Sequence, residues 1–250
     1  MSGFEKAKIA DKQHWAPGLA TITVEYPTPD FIAGQFMQIA AEVDGEQIKR
    51  SYSISSAPGK PLEFFISEVA GGALSPILCQ KEIGDELLID GNPLGFFTLQ
   101  EVPPARFLWL ASTGTGLGPT ISMLRQEEDL DRFEEVLIIH GVRQQSDLAY
   151  RQELEELMTS GANQGKTKIR YIPVVSREGA PEIGLQGRIT ERFADGSLEK
   201  IAAQTMDADS HLLLCGNPAM ITDMATLMKE RGFEKHRRRK SGHFNFEKYW

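Results

Sequence analysis

The chain has 250 residues, 41% of them hydrophobic and 25% charged, which is the make-up of a soluble globular protein with one large or two medium domains. Its 27 Lys and Arg against 35 Asp and Glu give a net charge of −8, which argues against an extended nucleic-acid-binding face. The two cysteines, Cys79 and Cys215, form no CxxC or Cys/His cluster, so a zinc or iron–sulfur ligand set is missing.

No apolar run reaches the ~20 residues of a membrane span, and the polar start Met1–Lys6 does not read as a signal peptide. A reduced cytoplasmic protein, a monomer that binds neither membrane nor nucleic acid, is the expectation.

The first hundred residues read as strands at short spacing. Thr21–Tyr26 alternates polar and apolar, Gly34–Val43 follows and ends at the turn Asp44-Gly45, and Arg50–Ser55 is a third. Leu62–Ser67, Glu86–Asp90 and Gly95–Leu99 complete six, which favours a small antiparallel barrel or sandwich. A helix interrupts the series after Gly71-Gly72-Ala73-Leu74, with Ser75 as candidate N-cap and Pro76 at the first helical position.

Arg50-Ser51-Tyr52-Ser53 stands out in the third strand. Side chains alternate along a strand, so Arg50 and Tyr52 share one face and Ser51 and Ser53 the other. A guanidinium suits a phosphate, a phenol covers an aromatic ring, and a hydroxyl can bond a ring nitrogen. A flavin dinucleotide makes all three demands, although an ordinary polar edge strand shows the same four residues.

Beyond Glu101–Pro104 the grammar changes. Phe107–Ala111 is a continuous apolar run, suited to a strand buried on both faces. The loop Ser112–Pro119 and a helix carrying Ile121 and Leu124 follow. Strands at Val136–His140, Ile169–Ser176 and His211–Cys215 alternate with helices near Ala149–Met158, Leu198–Ala203 and Asn217–Gly232. Such alternation implies a parallel sheet with ligands at the carboxyl ends of its strands. The domains are expected at 1–101 and 102–250.

The glycines of the 112–119 loop let backbone approach a phosphate or a ring, but the spacing G-x-G-x-G is neither the usual dinucleotide fingerprint nor a P-loop. No acidic residue marks the end of the second strand. Arg143, Ser176, Arg177 and Arg188 stand near strand ends instead, a set that suits a 2′-phosphate and favours NADP over NAD. A single loop arginine is otherwise simply solvated. Cys215 reads either as a buried structural thiol or as a group at a strand end beside a nicotinamide. The C-terminal stretch carries a basic run, Lys235-His236-Arg237-Arg238-Arg239-Lys240, and then the aromatic stretch ending Tyr249-Trp250.

In order and spacing these motifs resemble the ferredoxin–NADP reductase family, in its bacterial form. The matching residues are Arg50–Ser53 (R-x-Y-S), Gly72–Ser75 (G-x-x-S), Gly91–Phe97, Thr113–Pro119, Cys215–Pro218 and the basic-then-aromatic ending. The resemblance implies an FAD-binding antiparallel barrel followed by an NADP-binding α/β domain. It places Arg50 on the flavin pyrophosphate, Ser51 beside it in the same motif, Tyr52 on the isoalloxazine and Ser53 near its N5.

It also lines the flavin with Phe65, Ile66 and Ser67, and sets Ala73, Leu74 and Ser75 on the pyrophosphate. Thr115 would approach the flavin, Trp250 would stack on the adenine, and Arg143, Arg177 and Arg188 would clamp the 2′-phosphate. Ser53, Cys215 and Glu247 are the implied catalytic residues, the last by analogy with a glutamate of plant-type members.

The implied activity moves electrons between NADPH and ferredoxin or flavodoxin, with the Lys235, Arg237, Arg238, Arg239 and Lys240 cations facing the carrier. A flavoreductase subunit serving an oxygenase and a non-catalytic NADP-sensing module are the alternatives.

Overall fold

The computed structural model describes residues 3–43, 45–127, 129–159 and 167–248. By contacts the chain forms two units, Met1–Leu99 with Gly118–Gln126, and Gln100–Leu117 with Glu127–Trp250.

The first unit is built on strands β1 (Phe4–Ala16), β2 (Leu19–Glu25), β3 (Phe36–Val43), β4 (Glu46–Ser53), β5 (Leu62–Ser67) and β6 (Glu86–Leu94), in the order β4-β3-β6-β1-β2-β5. Every ladder is antiparallel. The ends of this sheet meet where Ile54, just past β4, bridges Phe64 of β5, and the Ser55 N–H donates to the Glu63 carbonyl at 2.9 Å. That closure makes a barrel and removes the free edges of β4 and β5.

Alternation fills its interior: Ile9, Ile22, Val24, Met37, Ile39, Phe64, Ile66 and Ile89 are all buried in one cluster. Helix α1 (Ser75–Gln80) adds Leu74 and Leu78 to that core. The Gly45 φ of +80° supplies the left-handed residue of the β3–β4 hairpin, in which Val43 pairs with Glu46.

Two features depart from the sequence reading. The long strand β1 was not anticipated. Of its inward positions Ala7, Ile9 and Lys12, the third is a lysine with a side chain 2% exposed. Its ammonium donates to the carbonyls of Cys79 at 2.9 Å and Lys81 at 2.6 Å and to Glu82 Oε1 at 3.1 Å, neutralising the carboxyl end of α1.

Conversely, Gly95–Leu99 is not a strand. Gly95, at φ +107°, ends β6, and the Gln35 amide donates to its carbonyl at 3.3 Å. Gly34, at φ +101°, lies against the Phe97 carbonyl, where any side chain would collide. The segment is held by loop contacts, and Phe97 is buried while Phe96 is exposed.

Helix α2 (Gly118–Gln126) packs with this unit. Ser122 Oγ donates to the Ser56 carbonyl at 2.7 Å, and Arg125 Nη1 reaches Glu63 Oε2 at 2.6 Å and the Ser55 carbonyl at 3.3 Å.

The second unit carries β7 (Phe107–Thr113), β8 (Glu135–Val142), β9 (Lys168–Val175), β10 (Leu185–Gln186), β11 (Ser210–Gly216) and β12 (Phe244–Lys248), all parallel, in the order β10-β9-β8-β7-β11-β12. Strands β8 and β11 are buried along their whole length, as central parallel strands are.

Helices α3 (Arg151–Thr159), α4 (Ile189–Ala194), α5 (Ser197–Ala202) and α6 (Pro218–Glu230) connect them. Helix α6 buries Met220, Ile221, Met224 and Met228, one stripe at helical spacing. Trp109 of β7 meets Phe193 of α4 edge to face at 5.8 Å. No helix among the described residues is long and apolar enough to cross a membrane.

Candidate functional site

Sheet order places the site in the second unit. From β7 the chain runs outward through β8, β9 and β10, then returns to lay β11 and β12 on the other side of β7. The crevice at the carboxyl ends of β7 and β11 is therefore the switch point, where open α/β sheets take ligands.

Two loops meet there through missing side chains. A Cβ on Gly116 would lie 2.6 Å from the Cys215 carbonyl, and one on Gly216, at φ +125°, would run into Thr113. The Asn217 N–H donates to Thr113 Oγ1 at 2.8 Å, and Asn217 Oδ1 accepts from Ala219 at 2.8 Å and Met220 at 3.3 Å, capping α6. Thr115 lies half-buried in the 3-10 turn Gly114–Leu117.

The turn is held from the far side by His140, whose fully buried Nε2 lies 3.1 Å from the Gly114 carbonyl. Burial brings this imidazole down to about 4, so it is neutral. In the sequence His140 stands at the end of an apolar strand, with no role evident from its spacing. A histidine there, among Val136, Leu137, Ile138 and Ile139, was the available signal.

The predicted arginines do come together along one sheet edge. Ser176 follows β9, and its N–H and Oγ both donate to the Val142 carbonyl, at 3.0 and 3.1 Å. The Arg177 N–H then donates to the Arg143 carbonyl at 2.9 Å. One strand over, Gln186 pairs with Val175, the Gly187 N–H donates to the Val175 carbonyl at 2.8 Å, and Arg188 comes next. Arg143, Arg177 and Arg188 thus end three adjacent strands. All three are exposed, and among the described residues none of their guanidinium groups pairs with a carboxylate, although the Arg188 backbone N–H donates to Glu191 Oε2 at 3.1 Å.

Cys215 is buried, one position before the end of β11, and in register it faces Ser112 of β7 on one side and Glu247 of β12 on the other. Two of the three implied catalytic residues are therefore lateral neighbours. Glu247 Oε2 is buried and has no hydrogen-bond partner. Burial pushes the carboxyl up to about 7. Trp250 lies outside the described residues.

In the first unit, Tyr52 leans with Ile48 on the barrel core, and Arg50 on the same side of β4 is exposed, its Nη1 donating to the Lys49 carbonyl at 2.7 Å. Burial, with the Cys79 thiol adding to it, raises the Tyr52 phenol, which stays protonated. Ser51 is exposed, whereas Ser53 is buried at the barrel closure, its carbonyl facing Gly118 of α2.

Phe65 and Ser67 share a face of β5. Ile66 points the other way into the barrel core, so what it can offer a ligand is its backbone. Leu74 is likewise a core side chain, and it occupies the N-cap position expected for Ser75. Ser75 Oγ accepts from the Val69 N–H at 3.0 Å, and Ala73 is exposed. Among the described residues no group of three or more His, Cys, Asp or Glu is placed to hold a metal ion.

Comparisons with known proteins show the family. Residues 6–98 match the family model described as an oxidoreductase FAD-binding domain, and residues 110–226 match that of an oxidoreductase NAD-binding domain. Over 253 aligned residues, covering 100% of both chains, the protein is 40% identical to the flavodoxin/ferredoxin–NADP reductase of Escherichia coli K12. It is 34% identical to the ferredoxin–NADP reductase of Azotobacter vinelandii, over 94% of this chain and 92% of that one. A crystal structure of a ferredoxin NADP+ reductase from Neisseria gonorrhoeae with bound FAD and NADP superposes with a TM-score of 0.92, at 30% identity and 100% coverage of each chain.

Proposed function

The chain belongs to the flavodoxin/ferredoxin–NADP reductase family, and from that premise we propose how its residues share the work. It is an FAD-dependent oxidoreductase that passes electrons between NADPH and ferredoxin or flavodoxin. Bound FAD supplies the chemistry, taking two electrons as hydride and releasing them singly.

The first unit fits that cofactor by the character of its groups. Arg50 is a cation with no acidic partner among the described residues, suited to the pyrophosphate, with Ser51 alongside it. Ala73, Ser75 and the backbone at Leu74 lie along the same phosphate path. Tyr52 offers a ring whose phenol stays neutral, Phe65 and Ser67 line the outer face of β5, and Ser53 brings a hydroxyl to the ring edge. The protein's part is alignment and exclusion of water.

In the second unit Arg143, Arg177 and Arg188, with Ser176, take the 2′-phosphate of NADP. The observation that carries this reading is the ending of three adjacent strands in exposed arginines whose guanidinium groups pair with no carboxylate among the described residues. Thr115, Cys215 and Glu247 serve the nicotinamide end, with Glu247 as the group that holds a proton near neutrality. Trp250 keeps its proposed place on the adenine.

The basic run acts as the face for the acidic carrier. Three of its cations are already engaged: Lys235 stands 3.6 Å over the Phe246 ring, Arg238 reaches Glu101 at 3.4 Å and Lys240 reaches Glu234 at 2.5 Å. Arg237 and Arg239 are exposed and meet no carboxylate among the described residues, so the carrier would find these two. A monomer in the cytoplasm completes the proposal, in keeping with Cys79 and Cys215 not being joined in a disulfide.

The test is the visible spectrum of the purified protein, followed by anaerobic mixing with NADPH and separately with NADH. A bound-flavin spectrum bleached fast by NADPH and slowly by NADH is expected. Equal bleaching by both would remove the arginine assignment, and a protein that takes up no FAD would remove the site in the barrel.

A further inference from the structure

His140 does something that a packing role does not require. Its neighbours along β8, Val136 to Ile139 and Val142, are apolar and buried. The Gly114 carbonyl can only accept, so Nε2 carries the hydrogen and Nδ1 is a bare acceptor. Nδ1 is buried and has no hydrogen-bond partner. Such an orphan carries a desolvation cost that an aliphatic residue would avoid.

The return for that cost lies in the turn. A trans peptide is planar, so the Gly114 carbonyl and the Thr115 N–H point in opposite directions. By drawing the carbonyl toward β8, His140 turns the Thr115 N–H away from the sheet interior, at a position where Gly114 is exposed at φ +53°. On the β11 side the turn is fixed by the close approach of Gly116 to the Cys215 carbonyl. The imidazole is the matching restraint on the β8 side.

We propose that His140 is a positioning residue that aims the Thr115 N–H at the nicotinamide half of the dinucleotide, separately from the arginines that hold the phosphorylated adenosine half. The inference rests on the NADP reading given above.

Calorimetric titration of the flavin-loaded full chain with 2′,5′-ADP and with NADP+ tests it. In H140L, NADP+ affinity falls about tenfold, 2′,5′-ADP affinity stays within about twofold, and the thermal midpoint is unchanged or higher. H140Q, whose amide can still donate toward Gly114, recovers most of the NADP+ affinity. Should H140L not fold, H140N, too short to reach Gly114, serves with the same readouts.

Unchanged NADP+ affinity, or equal loss of both ligands, overturns the proposal. A parent protein that fails to bind 2′,5′-ADP overturns the NADP reading itself, and this inference with it.

Discussion

Cys215 and Glu247 are paired across the parallel ladder between β11 and β12, the thiol fully buried and the carboxyl buried without a hydrogen-bond partner for Oε2. An acid in that position stays protonated to about 7, against 4.5 for an ordinary glutamate. Below 4.5 the carboxyl is neutral in both folded and unfolded chains, and the fold carries no penalty. Between 4.5 and 7 the unfolded chain ionises first, so stability falls as pH rises. Above 7 the deficit levels off at on the order of 3 kcal/mol.

Glu247→Gln removes this pH dependence. The variant's thermal midpoint relative to the parent should climb between pH 4.5 and 7.5 and reach several degrees at the upper end. A difference that does not vary with pH would show that the carboxyl ionises normally.

The arginine edge predicts coenzyme preference. Each charge-assisted hydrogen bond to a phosphate contributes roughly 1.5–3 kcal/mol. Arg177→Ala should therefore raise KM for NADPH about 10- to 100-fold and leave KM for NADH within about twofold. Arg143, joined to Arg177 by a backbone hydrogen bond, should behave in the same way. Parallel losses with both coenzymes would mean that the arginines shape the loop and do not read the 2′-phosphate.

Lys12→Met leaves the carbonyls of Cys79 and Lys81 without their shared donor. At about 1–3 kcal/mol for each orphaned carbonyl, the barrel should lose a few kcal/mol, seen as a lower urea midpoint. Lys12→Arg should restore part of the loss. A midpoint unchanged in Lys12→Met would mean that water replaces the ammonium.

Reversing Arg237 and Arg239 together to glutamate should slow reduction of ferredoxin or flavodoxin at low salt and leave reduction of a small neutral acceptor by NADPH unchanged. Electrostatic steering weakens with ionic strength, so the gap between parent and variant should close as salt is added. A gap that persists at high salt would point to damage at the chain's own site.

Strands with an unbroken period were legible from the residues. Leu62–Ser67 matches β5 at both ends, and the apolar runs at 107–111 and 136–140 match the buried strands β7 and β8. Strand β1 was not, because its third inward residue is Lys12, and register shifts at Ile9/Asp11 and His14/Ala16 break the alternation further. Helix α4 was missed because it has six residues and buries just Ile189 and Phe193.

At the site, the residue types pointed to anions and rings, but nothing local shows that Arg143, Arg177 and Arg188 end neighbouring strands. That fact belongs to the parallel pairing of residues far apart in sequence. The same holds for His140, whose partner Gly114 lies on a different strand's loop.

Helix α2 has a consequence for how this architecture can be taken apart. It follows β7 in sequence but packs with the barrel, so the chain passes from the first unit to the second, back, and out again. A single cut after residue 101 would strip the barrel of Ser122 and Arg125, leaving the carbonyls of Ser55 and Ser56 and the Glu63 carboxylate without these donors beside the barrel closure. The two halves are not interchangeable cassettes. A chimera that grafts a foreign nucleotide domain onto this barrel has to keep residues 118–126 native, and its splice points belong on both sides of that helix.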